Sequence, residues 1–142
     1  MGLRHYDNHH NDNRRLKPQM GAHRCLIIED DWSAIELMAD YVGRRKELTL
    51  VGVVQELYEV PDALSATQPD IAFLDLVIPQ GSPSDFHFGL IPPTVIVVVV
   101  SAIPLALFNR ALPPTVVDEL PKPVSYEHFN DCIDRIIERL RP

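Results

Sequence analysis

Cysteine is scarce in this chain: two residues in 142, Cys25 inside an apolar run and Cys132 on the apolar face of a helical stretch. Two such residues make neither a disulfide framework nor a metal pair, and they read as core thiols of a reducing compartment. Long apolar runs are missing as well. The longest, Val95 to Val100, falls far short of the ~20 residues that cross a bilayer. No signal-peptide pattern opens the chain, so the expected location is cytoplasmic, away from any membrane. Cations are outnumbered, 13 Lys and Arg against 20 Asp and Glu, for a formal charge of −7. Residues 1–23 hold four of those cations, two of the acids and four of the six histidines, which leaves 9 basic against 18 acidic side chains in 24–142. A body that acidic lacks the clustered Lys and Arg that phosphate contacts require, which argues against direct nucleic-acid binding. It suits a cation or a basic protein surface better.

The length allows one domain with a real core. Residues 1–23 interleave Asn, His, Asp and Arg without apolar periodicity, as a flexible N-terminal arm does. From residue 24 onward, apolar strand runs alternate with helical stretches. Cys25–Ile28 reads as a buried strand, and a helix from about Asp31 to Arg45 follows, capped by Asp31 or Ser33, with Arg44 and Arg45 suiting its C-terminal dipole. Leu48–Val54 is a second strand, Val60–Thr67 a short helix with Pro61 in its first turn, and Ile71–Leu74 a third strand. The proline-rich segment 76–93 admits only a short helix around Ser84–Leu90. Thr94–Val100 is a β-branched run suited to a strand covered on both faces, and 104–112 has helical composition. Val116–Leu120 is a fifth strand, placed at an edge by Pro121. The last helix starts at a Ser125 cap and sets Phe129, Cys132, Ile133, Ile136, Ile137 and Leu140 on one face. Five strands alternating with helices predict an α/β, doubly wound sheet.

In such a sheet the chemistry lies beyond the carboxyl ends of the strands. Glu29 and Asp30 stand after the first strand, Asp75 after the third, Ser101 after the fourth and Lys122 after the fifth. Three carboxylates in one crevice repel each other, and a divalent ion relieves that. An all-oxygen ligand set favours Mg²⁺ over zinc. An ammonium and a hydroxyl opposite them suit an anionic oxygen, which is a layout for phosphoryl transfer. Each residue also has an ordinary reading: Glu29, Asp30 and Asp31 as a helix-capping cluster, Asp75 and Ser101 as turn formers, Lys122 as a solvated charge. Together those readings require coincidences at four corresponding strand ends.

Four runs, Ile28-Glu29-Asp30-Asp31, Pro69 through Pro79 around Asp75, Val100-Ser101-Ala102 and Leu120-Pro121-Lys122-Pro123, resemble the receiver domain of bacterial two-component response regulators. The resemblance spans residues 24–140. It implies a CheY-like, flavodoxin-like domain over 24–142, with a single five-stranded parallel sheet in the order 2-1-3-4-5 and helices on both faces. It further implies that Asp75 takes a phosphoryl group from a sensor histidine kinase or a histidine phosphotransfer protein. Mg²⁺ would be held by Asp30, Asp75 and the backbone carbonyl of Val77, with Glu29 acting largely through water. Ser101 would hydrogen-bond the phosphoryl oxygen, Lys122 would pair with it, and the Lys122–Pro123 bond would be cis. Such a protein is a phosphoacceptor that catalyses its own phosphorylation and slow dephosphorylation, and it signals by protein–protein contact.

The chain departs from the family at four positions. Glu119 stands where an aromatic switch residue is usual, and a carboxylate does not bury inward as a ring does. Pro83 replaces the usual glycine eight residues after the acceptor. Val77 and Ile103 fill positions that help to orient attacking water, and neither side chain can hydrogen-bond it, so slow self-dephosphorylation is expected. The apolar residues Ile103, Leu105, Leu107, Phe108 and Leu112 exceed what one helix face needs, which suggests either a fully buried helix or a homodimer or partner surface on the face of the 104–112 segment, the fifth strand and the last helix. With no output domain after the last helix, a single-domain receiver is expected; a fragment of a longer regulator is the other possibility. The alternative function is a receiver-like binding module that works without phosphorylation. An aspartyl-phosphate hydrolase of the haloacid dehalogenase type would need an acid at Val77, and a flavin-binding fold would need a phosphate loop that is lacking.

Overall fold

Side chains alternate across a strand, so each apolar run feeds two cores. In β1 (His23–Ile28), Cys25 and Ile27 join one buried cluster while Leu26 and Ile28 join the other. The same division splits Ile71 and Phe73 from Ala72 and Leu74 in β3 (Ile71–Leu74), and Val98 and Val100 from Val97 and Val99 in β4 (Ile96–Ser101). Strands apolar on both faces must be covered on both faces. On one side lie α1 (Trp32–Gly43) and α3 (Tyr126–Leu140), on the other α2 (Val60–Thr67). These assignments come from a computed structural model that describes residues 21–76, 88–104 and 112–142.

With β2 (Leu48–Val54) and β5 (Val116–Pro121), the five strands form one sheet in the order β2-β1-β3-β4-β5, every neighbouring pair parallel. This is the doubly wound sheet expected from the alternation of strands and helices, in the strand order that the resemblance implies. Proline at the end of β5 is tolerated because that strand is an edge. No helix among the described residues is long and apolar enough to cross a membrane. Both cysteines are free and buried.

Several element limits shift. β1 starts two residues before the expected Cys25, because the His23 amide donates to the Glu47 carbonyl at 2.7 Å and extends the ladder. β4 starts at Ile96 rather than Thr94, because the Val95 amide turns back to the Pro92 carbonyl. α1 ends at Gly43, two residues short of Arg45; the Arg44 amide closes on the Asp40 and Tyr41 carbonyls. Both arginines therefore fall beyond the last turn they were expected to complement: Arg44 pairs back to Asp40 at 2.7 Å, and Arg45 pairs with Glu47 and, across to α3, with Asp134. Caps fall where expected: Asp31 accepts from the Ala34 amide and Ser125 from the His128 amide. Of the short helix expected around Ser84–Leu90, a 3-10 turn at Phe88–Leu90 falls within the described residues. The arm up to residue 20 and the segments carrying Val77, Pro79, Pro83, Leu105, Leu107 and Phe108 lie outside them.

Candidate functional site

Parallel strands bring their carboxyl ends to one edge, and here the ladder runs one residue further at each. The Glu29 amide donates to the Val54 carbonyl at 2.9 Å, the Asp75 amide to Ile28 at 2.9 Å, and the Lys122 amide to Ser101 at 3.1 Å. Backbone pairing thus fixes where these side chains start. Glu29, Asp75 and Ser101 are buried, with 3%, 4% and 2% of their surfaces exposed, whereas Asp30 is half-buried. Burying ionised groups without partners is costly, so the partners identify the site.

Oxygens of Glu29, Asp30 and Asp75 lie within 4.8 Å of one another. The Lys122 ammonium sits between two of these acids, 2.7 Å from Glu29 Oε1 and 3.2 Å from Asp75 Oδ2. Glu29 Oε2 accepts from the Asp30 and Asp31 amides, both at 3.1 Å, which ties the cluster to the first turn of α1. Burial, followed by a hydrogen bond with Asp75, pushes the Glu29 carboxyl up to about 7, against the opposing pull of Lys122 and the Asp31 amide. Lys122 is shifted upward too: burial disfavours its charge, but the Glu29 and Asp75 carboxylates outweigh that.

The donor set is all oxygen, partly buried and open on the Asp30 side. Burial first, and the neighbouring Asp75 second, hold the Glu29 carboxyl up, and a hard divalent cation relieves such crowding of buried acids. Glu29, Asp30 and Asp75 could therefore hold Mg²⁺. The expected Val77 carbonyl ligand lies outside the described residues.

Ser101 closes β4, next to β3 in the sheet. Its Oγ accepts from the Ile103 amide at 3.1 Å, so its own proton remains available to a neighbouring acceptor. The Lys122–Pro123 peptide is cis, as the resemblance implies. Glu119 is half-buried in β5, paired with Val99 of β4. Glu29, Asp30, Asp75 and Lys122 are thus brought into direct contact or close approach, and Ser101 stands at the adjoining strand end.

Two features were not read from the residues. A mainly apolar cleft of about 310 Å³ runs beside Lys122, lined by Ala34, Leu37, Met38, Val100, Pro123 and Val124. The Tyr41 hydroxyl donates to the Val124 carbonyl at 2.8 Å. A tyrosine on the inner face of a helix reads as core, and nothing local discloses a partner 83 residues away.

No family model matches the chain. A protein-glutamate methylesterase/protein-glutamine glutaminase 2 from Shewanella sp. (strain MR-4) is 30% identical over 125 residues, covering 83% of this chain and 35% of that protein. An uncharacterized response regulatory protein from Shewanella oneidensis is 26% identical over 120 residues, 83% of this chain and 50% of that one. The chain therefore spans between about a third and a half of the length of these curated relatives. Among solved structures, a CheY-like response regulator receiver domain from Methylobacillus flagellatus superposes with a TM-score of 0.68 at 21% identity, covering 81% of this chain and 98% of that one. The response regulator domain of Thermotoga maritima CheB gives 0.63 at 17% identity, covering 85% and 99%. At these identities the structural likeness speaks for the fold.

Proposed function

The chain has the receiver-domain fold of response regulators and has response regulators among its curated relatives; from that premise we propose that Asp75 is a phosphoryl acceptor. The donor is a phosphohistidine on a sensor kinase or a phosphotransfer protein. An Asp75 carboxylate oxygen forms a bond to phosphorus as the phosphorus–nitrogen bond breaks. The electron pair stays on the imidazole nitrogen, which then takes a proton from solvent. The product is an acyl phosphate. Glu29, Asp30 and Asp75 are the residues that would hold Mg²⁺, which supplies charge neutralisation for the incoming phosphoryl oxygens.

Lys122 carries the reading. Its ammonium already touches the Asp75 carboxylate at 3.2 Å, so it would lie against an oxygen of any group built on that carboxylate. Ser101, from the next strand end, is suited to donate its hydroxyl proton to a second oxygen. Phosphorylation would then act through a change in protein–protein contact, in a cytoplasmic setting, with homodimerisation as one possible outlet.

Intact-mass measurement after incubation with Mg²⁺ and acetyl phosphate tests this. Wild type gains the mass of one phosphoryl group, and Asp75→Ala gains none. Failure of the folded wild type to gain it, together with no response to beryllofluoride, would favour the other reading, a binding module that works unphosphorylated. Glu119 at the usual aromatic switch position is the observation on that side.

A further inference from the structure

We propose that Tyr41 is a positioning residue for Lys122, a role that rests on the phosphoryl-acceptor reading above. Lys122 is delivered by a short connection between β5 and α3. That connection is fixed at its start by the Lys122 amide on the Ser101 carbonyl (3.1 Å) and at its end by Ser125, whose Oγ caps α3 through the His128 amide (3.0 Å). Between these points Val124 is buried, and its carbonyl accepts the Tyr41 hydroxyl at 2.8 Å. The bond crosses from α1 to a segment two residues beyond the lysine.

Tyr41 is well placed to act as a fixed post. Its ring is buried, 5.2 Å from Tyr126 in an edge-on arrangement and 5.4 Å from Phe129. The Arg44 guanidinium lies over both tyrosines, 5.6 Å from the Tyr41 centroid and 4.8 Å from that of Tyr126. A ring held on several sides has little freedom to carry its hydroxyl elsewhere. The same helix begins at Asp31, whose amide binds Glu29. α1 therefore holds the carboxylate side of the site at its first turn and the lysine segment at its third. The spacing between ammonium and carboxylates is set across one rigid element. Tyr41 does not touch the phosphoryl position; it acts through the segment that bears Lys122.

The test is Tyr41→Phe, which keeps the ring and removes the tether. Two affinities are followed through the fluorescence of Trp32: for Mg²⁺ alone, and for beryllofluoride at saturating Mg²⁺. Losing one hydrogen bond to a buried carbonyl should weaken beryllofluoride binding by a few-fold to about tenfold. Mg²⁺ affinity should not fall, since no metal-holding carboxylate is removed and Lys122, the cation that competes for Glu29 and Asp75, is the group loosened. In a Lys122→Ala background, Tyr41→Phe should add no further loss.

Unchanged beryllofluoride affinity in Tyr41→Phe overturns the proposal, and so does an equal loss with and without Lys122. A parallel fall in Mg²⁺ affinity also overturns it, because that marks a general loosening. A wild type that binds Mg²⁺ but not beryllofluoride removes the phosphoryl reading itself, and this inference with it. That outcome is told apart from the others by needing no variant.

Discussion

Raising the pH of the metal-free protein from 5 to 8 should destabilise it, and Glu29 is the reason. In the unfolded chain its carboxyl titrates near the ordinary 4.5; in the folded protein burial and the Asp75 hydrogen bond raise it to about 7. Between those values the folded state keeps a proton that the unfolded state has released. Stability is then fully present below 4.5 and falls as pH climbs through 7. At ~1.4 kcal/mol per pH unit the window sets a ceiling of ~3 kcal/mol. The Lys122 ammonium opposes the shift, so a fall of about 1–3 kcal/mol, at or below that ceiling, is the expected range, against a total of ~5–15 kcal/mol for a domain of this kind. Glu47 and Asp118 are shifted downward. Arg45 is the main partner of the first; for the second burial pulls the other way, and hydrogen bonds with Arg135, the Glu119 amide and Cys132 together outweigh it. Their contributions are lost only as pH falls through the acid range, outside this window. Urea unfolding in EDTA at steps from pH 5 to 8 measures the slope, and Glu29→Gln should flatten it. Saturating Mg²⁺ should restore stability most at the high-pH end. A wild-type stability that is level or rises over this window refutes the reasoning, as does a Glu29→Gln variant with the slope intact.

Further expectations are simpler. Phe129 is fully buried, its ring 5.4 Å from Tyr41 and 5.8 Å from Phe73; Phe129→Ala should cost about 3–5 kcal/mol by urea unfolding. Ser125→Ala removes the α3 cap and should cost about 1 kcal/mol by the same measurement. Once Asp75 carries a phosphoryl group, its loss followed by intact mass should be slow, and Ile103→Asn should speed it several-fold by giving water a hydrogen-bonding neighbour. A lifetime unaffected by Ile103→Asn would show that this position does not limit hydrolysis.

What could be read in advance divides along a physical line. Strand interiors of this sheet are apolar on both faces, so Cys25–Ile28, Ile71–Leu74 and the valine run of β4 stand out, and each ends where a polar residue interrupts it. The same interruption sets Glu29, Asp30, Asp75, Ser101 and Lys122 at one edge of the sheet, which is why their placement there was legible. Edge placement of β5 was legible for a related reason, since Pro121 has no amide to give a second neighbour. Element limits were less so, because turning amides such as Val95 and Arg44 choose between a ladder and a nearby carbonyl by margins that composition does not express. Least legible are links made by tertiary packing alone. Arg45 reaches Asp134, and Tyr41 reaches Val124, across 89 and 83 residues. A periodic pattern says that Tyr41 faces inward and stops there, because burial of the ring is all that periodicity encodes. The hydroxyl still needs an acceptor once the ring is buried. Finding that acceptor on the segment that carries Lys122 is what turns an ordinary core tyrosine into a constraint on the site.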